Sequence, residues 1–406
     1  LSIQYDPCKL DTPLVIPTGT RLPFGKERSA HLFLMDYIGD WGGSCEGEWV
    51  NPRIIPYKKG ISDLHERGLQ VGSKVFHYGY GIFEGAKAFR HENGELYTSR
   101  LDQNAARFNR SARMLEMPTI SEDTFLTAVN SLLDIDRLYF PLGIEGASLY
   151  IRPFMMARQD QLGVGPGNSY TFAIFLSPSG PYYSDGFDPI PLLVQKIFHR
   201  ATPGGVGGAK AAGNYAGAAR PAKLAKLLGA QQVLFLDAKL NYWAEEVGTS
   251  ALGMVKGSEF CMPIASDTIL ASTSVSNIED VVDAYDFSNV GVERAERRRI
   301  SIDEIISGLR DGSVREISGL GTAAVVSPVK SLRVLREHLL DEEVLAQVIA
   351  GNLYVDDLVH EYLSRSGSCM ASDLFEEVVV GDGKTGAFTK KLFDTYTSIQ
   401  YGTVED

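Results

Sequence analysis

A two-domain chain of mixed class, α+β or α/β, is what three features of the sequence predict. The 406 residues exceed what one hydrophobic core usually supports. Strand-like apolar runs and helix-period runs follow one another through both halves. Between the halves, Ser177–Pro191 is dense in Pro, Gly and Ser, the composition of a boundary. The expected division is a small domain over 1–176, a connecting segment over 177–191 and a larger domain over 192–406.

Hydrophobic content of 44% and charged content of 22% are ordinary for a globular protein. A net charge of -12 disfavours nucleic acid and anionic membrane as partners, since both need basic surface. The expected partners are small molecules. No apolar run reaches the length of a membrane span, and no charged-then-apolar leader opens the sequence. Cys8, Cys45, Cys261 and Cys369 are scattered without a CxxC, which predicts reduced thiols and a cytoplasmic setting. The seven histidines show no metal-ligand spacing, so no metal is expected.

In the first half a strand is expected at His31–Asp36. Lys74–Arg90 mixes glycines with His77, Tyr78, Tyr80 and Phe83, which can wall a pocket or fill a pair of core strands. Leu101, Ala105, Phe108, Ala112 and Leu115 recur at helical spacing as a buried stripe. Arg107, Arg110 and Arg113 run beside that stripe. They form a solvated face, or one of them turns inward to clamp a phosphate, worth about 1.5–3 kcal/mol per charged hydrogen bond. Two strands follow, Ala147–Phe154 and Tyr170–Leu176. Tyr150 and Arg152 share a face of the first, and an arginine within so apolar a strand needs a partner.

The second half opens with a strand near Leu192–Phe198. Then comes Gly204–Tyr215, in which Lys210 stands among glycines and alanines. A desolvated lysine loses its proton cheaply and attacks carbonyls; a solvated lysine in a loop does neither. A helix over Ala218–Leu228 and a strand over Gln232–Asp237 precede Glu245 and Glu246, two carboxylates beside a Gly-Thr turn. The run Ser272–Asn277 immediately precedes a helical pattern over Ile278–Tyr285 and reads as its N-cap, and the N-terminus of a helix offers backbone N–H groups to an anion. Ser318–Val326 reads as a glycine turn opening into an apolar strand. Residues 331–374 read as a charged helical insertion, with helices near 334–350 and 355–364. Leu339, Leu340, Leu345, Val348 and Ile349 in it would cover a surface, a subunit contact or a pocket.

Six motifs in order carry a resemblance. His77-Tyr78 with Phe83-Glu84-Gly85-x-Lys87-Ala88-Phe89-Arg90, Tyr150-Ile-Arg-Pro153, Lys210-x-x-Gly-Asn-Tyr215, Glu246-Val-Gly-Thr249, Gly321-Thr-Ala323 and Ile399-Gln-Tyr-Gly402 resemble those of the branched-chain amino acid aminotransferases. These are pyridoxal 5′-phosphate (PLP) enzymes of fold type IV, and the likeness extends from Phe24 to Gly402. The resemblance implies a D-amino acid aminotransferase-like fold, with a smaller N-terminal α/β domain and a larger C-terminal pseudo-barrel. It implies transfer of the amino group of L-leucine, L-isoleucine or L-valine to 2-oxoglutarate, in a homodimer.

Residue by residue, the resemblance makes Lys210 the Schiff-base lysine and proton carrier. It selects Arg107 for the phosphate and Glu246, rather than Glu245, for the pyridine nitrogen. Tyr215 falls to the cofactor's O3′, Thr322 to the phosphate, and Ala323 and Ala324 to the substrate carboxylate. Phe24, Tyr78, Phe83, Tyr150, Arg152, Tyr182 and Thr249 match pocket positions, with Arg152 beside Tyr78 suited to the γ-carboxylate of glutamate. The chain departs from the family at Ala271-Ser-Thr-Ser-Val275, where relatives read close to Pro-Gly-Val-Thr-Arg; Thr273 and Ser274 stand there as phosphate donors. It departs again at Ala324-Val-Val-Ser327, which lacks the CxxC of some relatives. Another fold type IV enzyme, acting on D-amino acids or as a lyase, is the alternative, and an idle binding module is a third reading.

Overall fold

The computed structural model describes residues 1–8, 14–17, 22–39, 47–181, 187–322, 325–366 and 370–404. Contacts group the chain into two compact units: Leu1–Ser184 with Ala209–Gly213 and Thr397–Asp406, and Asp185–Gly208 with Asn214–Tyr396.

In the first unit the strands are β1 (Gln4–Tyr5), β2 (His31–Gly39), β3 (Gly47–Pro56), β4 (Gly81–Phe83), β5 (Ala86–Arg90), β6 (Leu96–Thr98), β7 (Ser148–Ala157) and β8 (Ser169–Ser179). They form one sheet in the order β1-β3-β2-β8-β7-β5-β6, with β4 also on β7. Alternation sorts β2 between two cores. Phe33, Met35 and Tyr37 face the helices α3 (Leu101–Met114) and α4 (Glu122–Ile135), whose Ala105, Phe108, Ala112, Phe125 and Leu132 close that side. Leu32 and Leu34 face the other way, where Ile55 and Leu64 cover them. There α1 (Gly60–Glu66) lies after β3, and α2 (Lys74–Tyr78) precedes β4. The aromatic stretch Lys74–Arg90 is thus one short helix followed by two strands, β4 and β5.

Asp36 shares the face of Leu32 and Leu34 but is 2% exposed, so its charge requires partners. Its Oδ2 accepts from Arg53 Nη1 at 2.8 Å and its Oδ1 from the Thr171 hydroxyl at 2.9 Å. Arg158 stands 3.8 Å away. Arg53 is also gripped by Asp63, whose Oδ1 accepts its Nε at 3.0 Å, so losing Asp36 strips the arginine of one of two anionic partners. Asp36→Ala is therefore expected to lower unfolding free energy by about 1–3 kcal/mol in a denaturant titration, whereas Asp36→Asn, which keeps one acceptor, should cost less.

The second unit holds β9 (Ile190–Val194), β10 (Gln232–Leu236), β11 (Ala244–Val247), β12 (Ser250–Lys256), β13 (Glu259–Met262), β14 (Arg294–Arg297), β15 (Val314–Gly321), β16 (Val325–Leu335) and β17 (Phe375–Val379). The order β11-β10-β9-β16-β15-β12 closes on itself because β11 also pairs with β12. That closure is the expected pseudo-barrel. Its strands split residues by parity: Leu192, Val194, Leu234 and Leu236 enter one core, Leu193, Val233 and Phe235 the other. Among the described residues, five α-helices belong wholly to this unit, α6 (Ala219–Leu227), α7 (Thr273–Ala284), α8 (Ile302–Asp311), α9 (Glu342–Ala350) and α10 (Val355–Ser366); α5 (Gly213–Ala216) and α11 (Ala387–Gln400) straddle the division.

Several boundaries differ from expectation, each for a local reason. The strand expected to reach Phe198 stops at Val194, because the Gln195 side chain accepts the N–H groups of Ile197 and Phe198 and turns the chain. The Ser318–Gly321 stretch is not a turn: it is the end of β15, paired with β12 on one side and β16 on the other. Residues 331–335 are not helical, since β16 runs through them between β9 and β17. The helix starts only at Glu342, where Asp341 accepts the Val344 N–H at 2.9 Å. Leu340 and Val348 are buried with Val355 and Leu358 against Leu224 and Leu228, which accounts for much of that segment's apolar surface. Leu339 and Ile349 stay exposed. Deleting 331–374 would thus remove part of a central strand.

Short backbone ladders explain why Ala209–Gly213 belongs with the first unit: Ile82 bridges Ala211, and the Ala212 N–H donates to the Gly81 carbonyl at 2.9 Å. The Tyr401 hydroxyl likewise donates to the Ala147 carbonyl. Cys8 and Cys261 carry free thiols; Cys45 and Cys369 lie outside the described residues. Among the described residues, no helix is long and apolar enough to cross a membrane.

Candidate active site

Lys210 is set along the edge of β4. Its carbonyl accepts the Phe83 N–H at 3.0 Å, and its own N–H donates to the hydroxyl of Ser111 on α3 at 2.9 Å. The backbone is therefore fixed on both sides of the side chain, whose Nζ lies 5.1 Å from the centre of the Phe83 ring. The Arg152 guanidinium approaches the same ring at 4.7 Å. From β7 it donates Nη2 to the Tyr150 hydroxyl at 2.9 Å, which meets the shared-face expectation. Its Nε is buried without a hydrogen-bond partner, leaving a donor suited to an anion. Phe24 stands edge-on to Tyr150 at 4.7 Å. Tyr78 ends α2 and donates its hydroxyl to the Leu162 carbonyl.

Of the three arginines on α3, Arg107 is buried while Arg110 and Arg113 are exposed. Arg107 grips Glu84, donating Nε to Oε1 and Nη2 to Oε2, each at 2.7 Å. A guanidinium carries five N–H donors, of which this carboxylate takes two.

In the second unit the carboxylates on β11 differ in environment. Glu246 Oε1 accepts the Leu270 N–H at 2.9 Å, and its Oε2 lies 2.9 Å from Arg200 Nε. Glu245 faces the Thr268 hydroxyl at 2.5 Å, and burial pushes its carboxyl up. A carboxylate meant to stay ionised needs the cation, and Glu246 has it. Thr273 and Ser274 are the first residues of α7, capped by the Ser272 hydroxyl on the Val275 N–H. Capping makes the helix begin there rather than at Ile278. The Ser274 and Thr322 hydroxyls are 3.4 Å apart, so a helix N-terminus and two hydroxyls form one donor set. Tyr215 sits on α5 and is part-exposed, and Thr249 is exposed between β11 and β12. Tyr182, Ala323 and Ala324 lie outside the described residues.

The glycines before Lys210 serve backbone packing: a Cβ on Gly207 would come 2.9 Å from the Asp267 carbonyl oxygen, and one on Gly208 2.7 Å from that of Ser266. Sequence reasoning passed over Glu84, Ser111 and Arg200. Arg200 had a signal, a lone cation just ahead of the Gly-Ala run. Glu84 lay inside a quoted motif with no chemistry attached to it. Lys87 on β5, opposite Tyr150, is a further case: burial lowers its ammonium to about 8.

The first unit thus holds a lysine and an arginine over one aromatic ring, and the second a buried carboxylate against Arg200. The class IV amino-transferase family model matches residues 81–332. Over 390 residues the chain is 35% identical to branched-chain-amino-acid transaminase 1 of Bacillus subtilis (strain 168), covering 96% of this chain and 93% of that protein. Among solved structures, the branched-chain amino acid aminotransferase of Escherichia coli superposes with a TM-score of 0.64 at 19% identity, covering 93% of this chain and 97% of that one. The PLP form of the enzyme from Thermobaculum terrenum gives 0.64 at 17%, covering 93% and 96%. The chain belongs to the class IV aminotransferases and, within them, to the branched-chain amino acid aminotransferases.

Proposed function

We propose that the protein is a PLP-dependent aminotransferase that moves the amino group of L-leucine, L-isoleucine or L-valine to 2-oxoglutarate, yielding branched-chain 2-oxo acids and L-glutamate. The observation that carries the reading is the pairing of the Lys210 amine and the Arg152 guanidinium over one ring, Phe83. An amine that handles an amino group and a spare donor for a carboxylate are the two needs of amino-acid chemistry.

The residues fit PLP by the chemistry of their donors. The α7 N-terminus, Ser274 and Thr322 suit a phosphate, Arg107 adds positive charge, and the buried Glu246 suits a protonated ring nitrogen. Bound there, PLP supplies an electron sink for the pair left at Cα when its proton departs. Lys210 tethers the cofactor and carries the proton at substrate Cα through Nζ. Glu246, with Arg200 beside it, holds the proton on the ring nitrogen, and Tyr215 donates to O3′. Arg152 takes a substrate carboxylate, and Phe24, Tyr78, Phe83 and Tyr150 give the apolar walls a branched side chain prefers. By the family's motifs, Tyr182, Thr249, Ala323 and Ala324 are further substrate-binding residues. The enzyme works as a cytoplasmic homodimer.

A panel of L- and D-amino acids with 2-oxoglutarate, read as glutamate formed, tests this. The reading expects turnover with L-leucine, L-isoleucine and L-valine; turnover confined to D-amino acids would contradict it.

A further inference from the structure

Glu84 is the most deeply enclosed charge in the first unit's site, at 0% exposure, and no role above uses it. Its carboxylate receives four N–H groups: Nε and Nη2 of Arg107 at 2.7 Å each, Asn104 Nδ2 at 2.7 Å and the Gly85 backbone at 3.2 Å. Asn104 also donates to the Gly85 carbonyl. Asn104, Arg107 and Ser111 lie along one side of α3, and Ser111 is the residue that accepts the Lys210 N–H. Glu84 follows Phe83, whose N–H holds the Lys210 carbonyl, and its own N–H donates to the Pro153 carbonyl at 2.8 Å. Gly85 completes the fit, since a Cβ there would stand 2.2 Å from the Tyr150 hydroxyl. One residue is thereby tied by its carboxylate to the helix that carries the arginine and, through its neighbour Phe83, to the backbone of the lysine.

We propose that Glu84 is a positioning residue, which fixes the plane of the Arg107 guanidinium for the PLP phosphate. The proposal rests on the cofactor assignment above. Two parallel N–H···O bonds stop a guanidinium from rotating, so its remaining edge points one way. A carboxamide in the same place keeps the shape but offers one acceptor and no charge. Burial pushes the Glu84 carboxyl up, but the charge and hydrogen bonds of Arg107 outweigh it and hold the carboxyl below the usual range.

The test titrates cofactor-stripped full-length protein with PLP, following visible absorbance, in wild type, Glu84→Gln, Arg107→Gln and the double variant. Glu84→Gln is expected to weaken PLP at least tenfold. In the Arg107→Gln background the same change should cost less than twofold, because Glu84 acts through the arginine. For pyridoxal, which lacks the phosphate, Glu84→Gln should cost less than twofold, since the arginine acts on the phosphate; a merely structural role would weaken both alike. PLP affinity within twofold of wild type, a loss repeated in full in the Arg107→Gln background, or an equal loss for pyridoxal would overturn the proposal. Should Glu84→Gln not fold, Glu84→Asp, whose shorter reach breaks the bidentate grip, carries the same tenfold expectation and the same contradiction. Wild type that takes up no PLP would instead sink the cofactor assignment, and this proposal with it.

Discussion

Lys210→Ala is expected to abolish transamination, lowering kcat on the order of 10⁴-fold, the upper end of what a positioned acid–base group contributes. The lysine backbone is held by Phe83 and Ser111, through groups every residue except proline possesses. The substitution should therefore leave the fold intact, and thermal unfolding should stay within a few degrees of wild type. A short exogenous amine supplied to the variant should restore part of the rate, since the missing group is a base and not a structural prop. Full activity in Lys210→Ala would remove the lysine from the mechanism.

The second large effect is expected at Glu246. Replacing it with Gln keeps an acceptor for the Leu270 N–H but deletes the charge that faces Arg200 and, in our proposal, the ring nitrogen. Loss of one preorganised electrostatic partner typically lowers kcat about 10²–10³-fold. KM should change less, because the carboxylate acts on the cofactor's electronics rather than on the substrate. Glu245→Gln is the control: that carboxyl faces Thr268, and its substitution should leave kcat within a few fold. Equal losses in both variants would mean the two acidic residues had been assigned wrongly.

Local periodicity made the fold's parts legible. The α3 stripe of Leu101, Ala105, Phe108 and Ala112 is the buried face of the helix, and the parity of Tyr150 and Arg152 did place them in contact. Long-range pairing was not legible. Nothing in the composition of 331–335 distinguishes a strand between β9 and β17 from the start of a charged helix, because the register is set by partners more than a hundred residues away. The site shows the same limit. Lys210 and Glu246 were found through their motifs, but the Arg200 guanidinium against Glu246 is a contact made by folding. Glu84 could not have been singled out, because its meaning lies in the guanidinium it grips from another element.

The central claim is most directly tested by the first half of the reaction, run without an acceptor. Purified wild-type protein, loaded with PLP, is mixed with L-leucine or with D-alanine while its absorbance is followed. The account predicts that L-leucine bleaches the visible band, that 2-oxoglutarate brings it back, and that D-alanine leaves it unchanged. A band that responds to D-alanine but not to L-leucine, or a protein with no visible band at any pH, would contradict it.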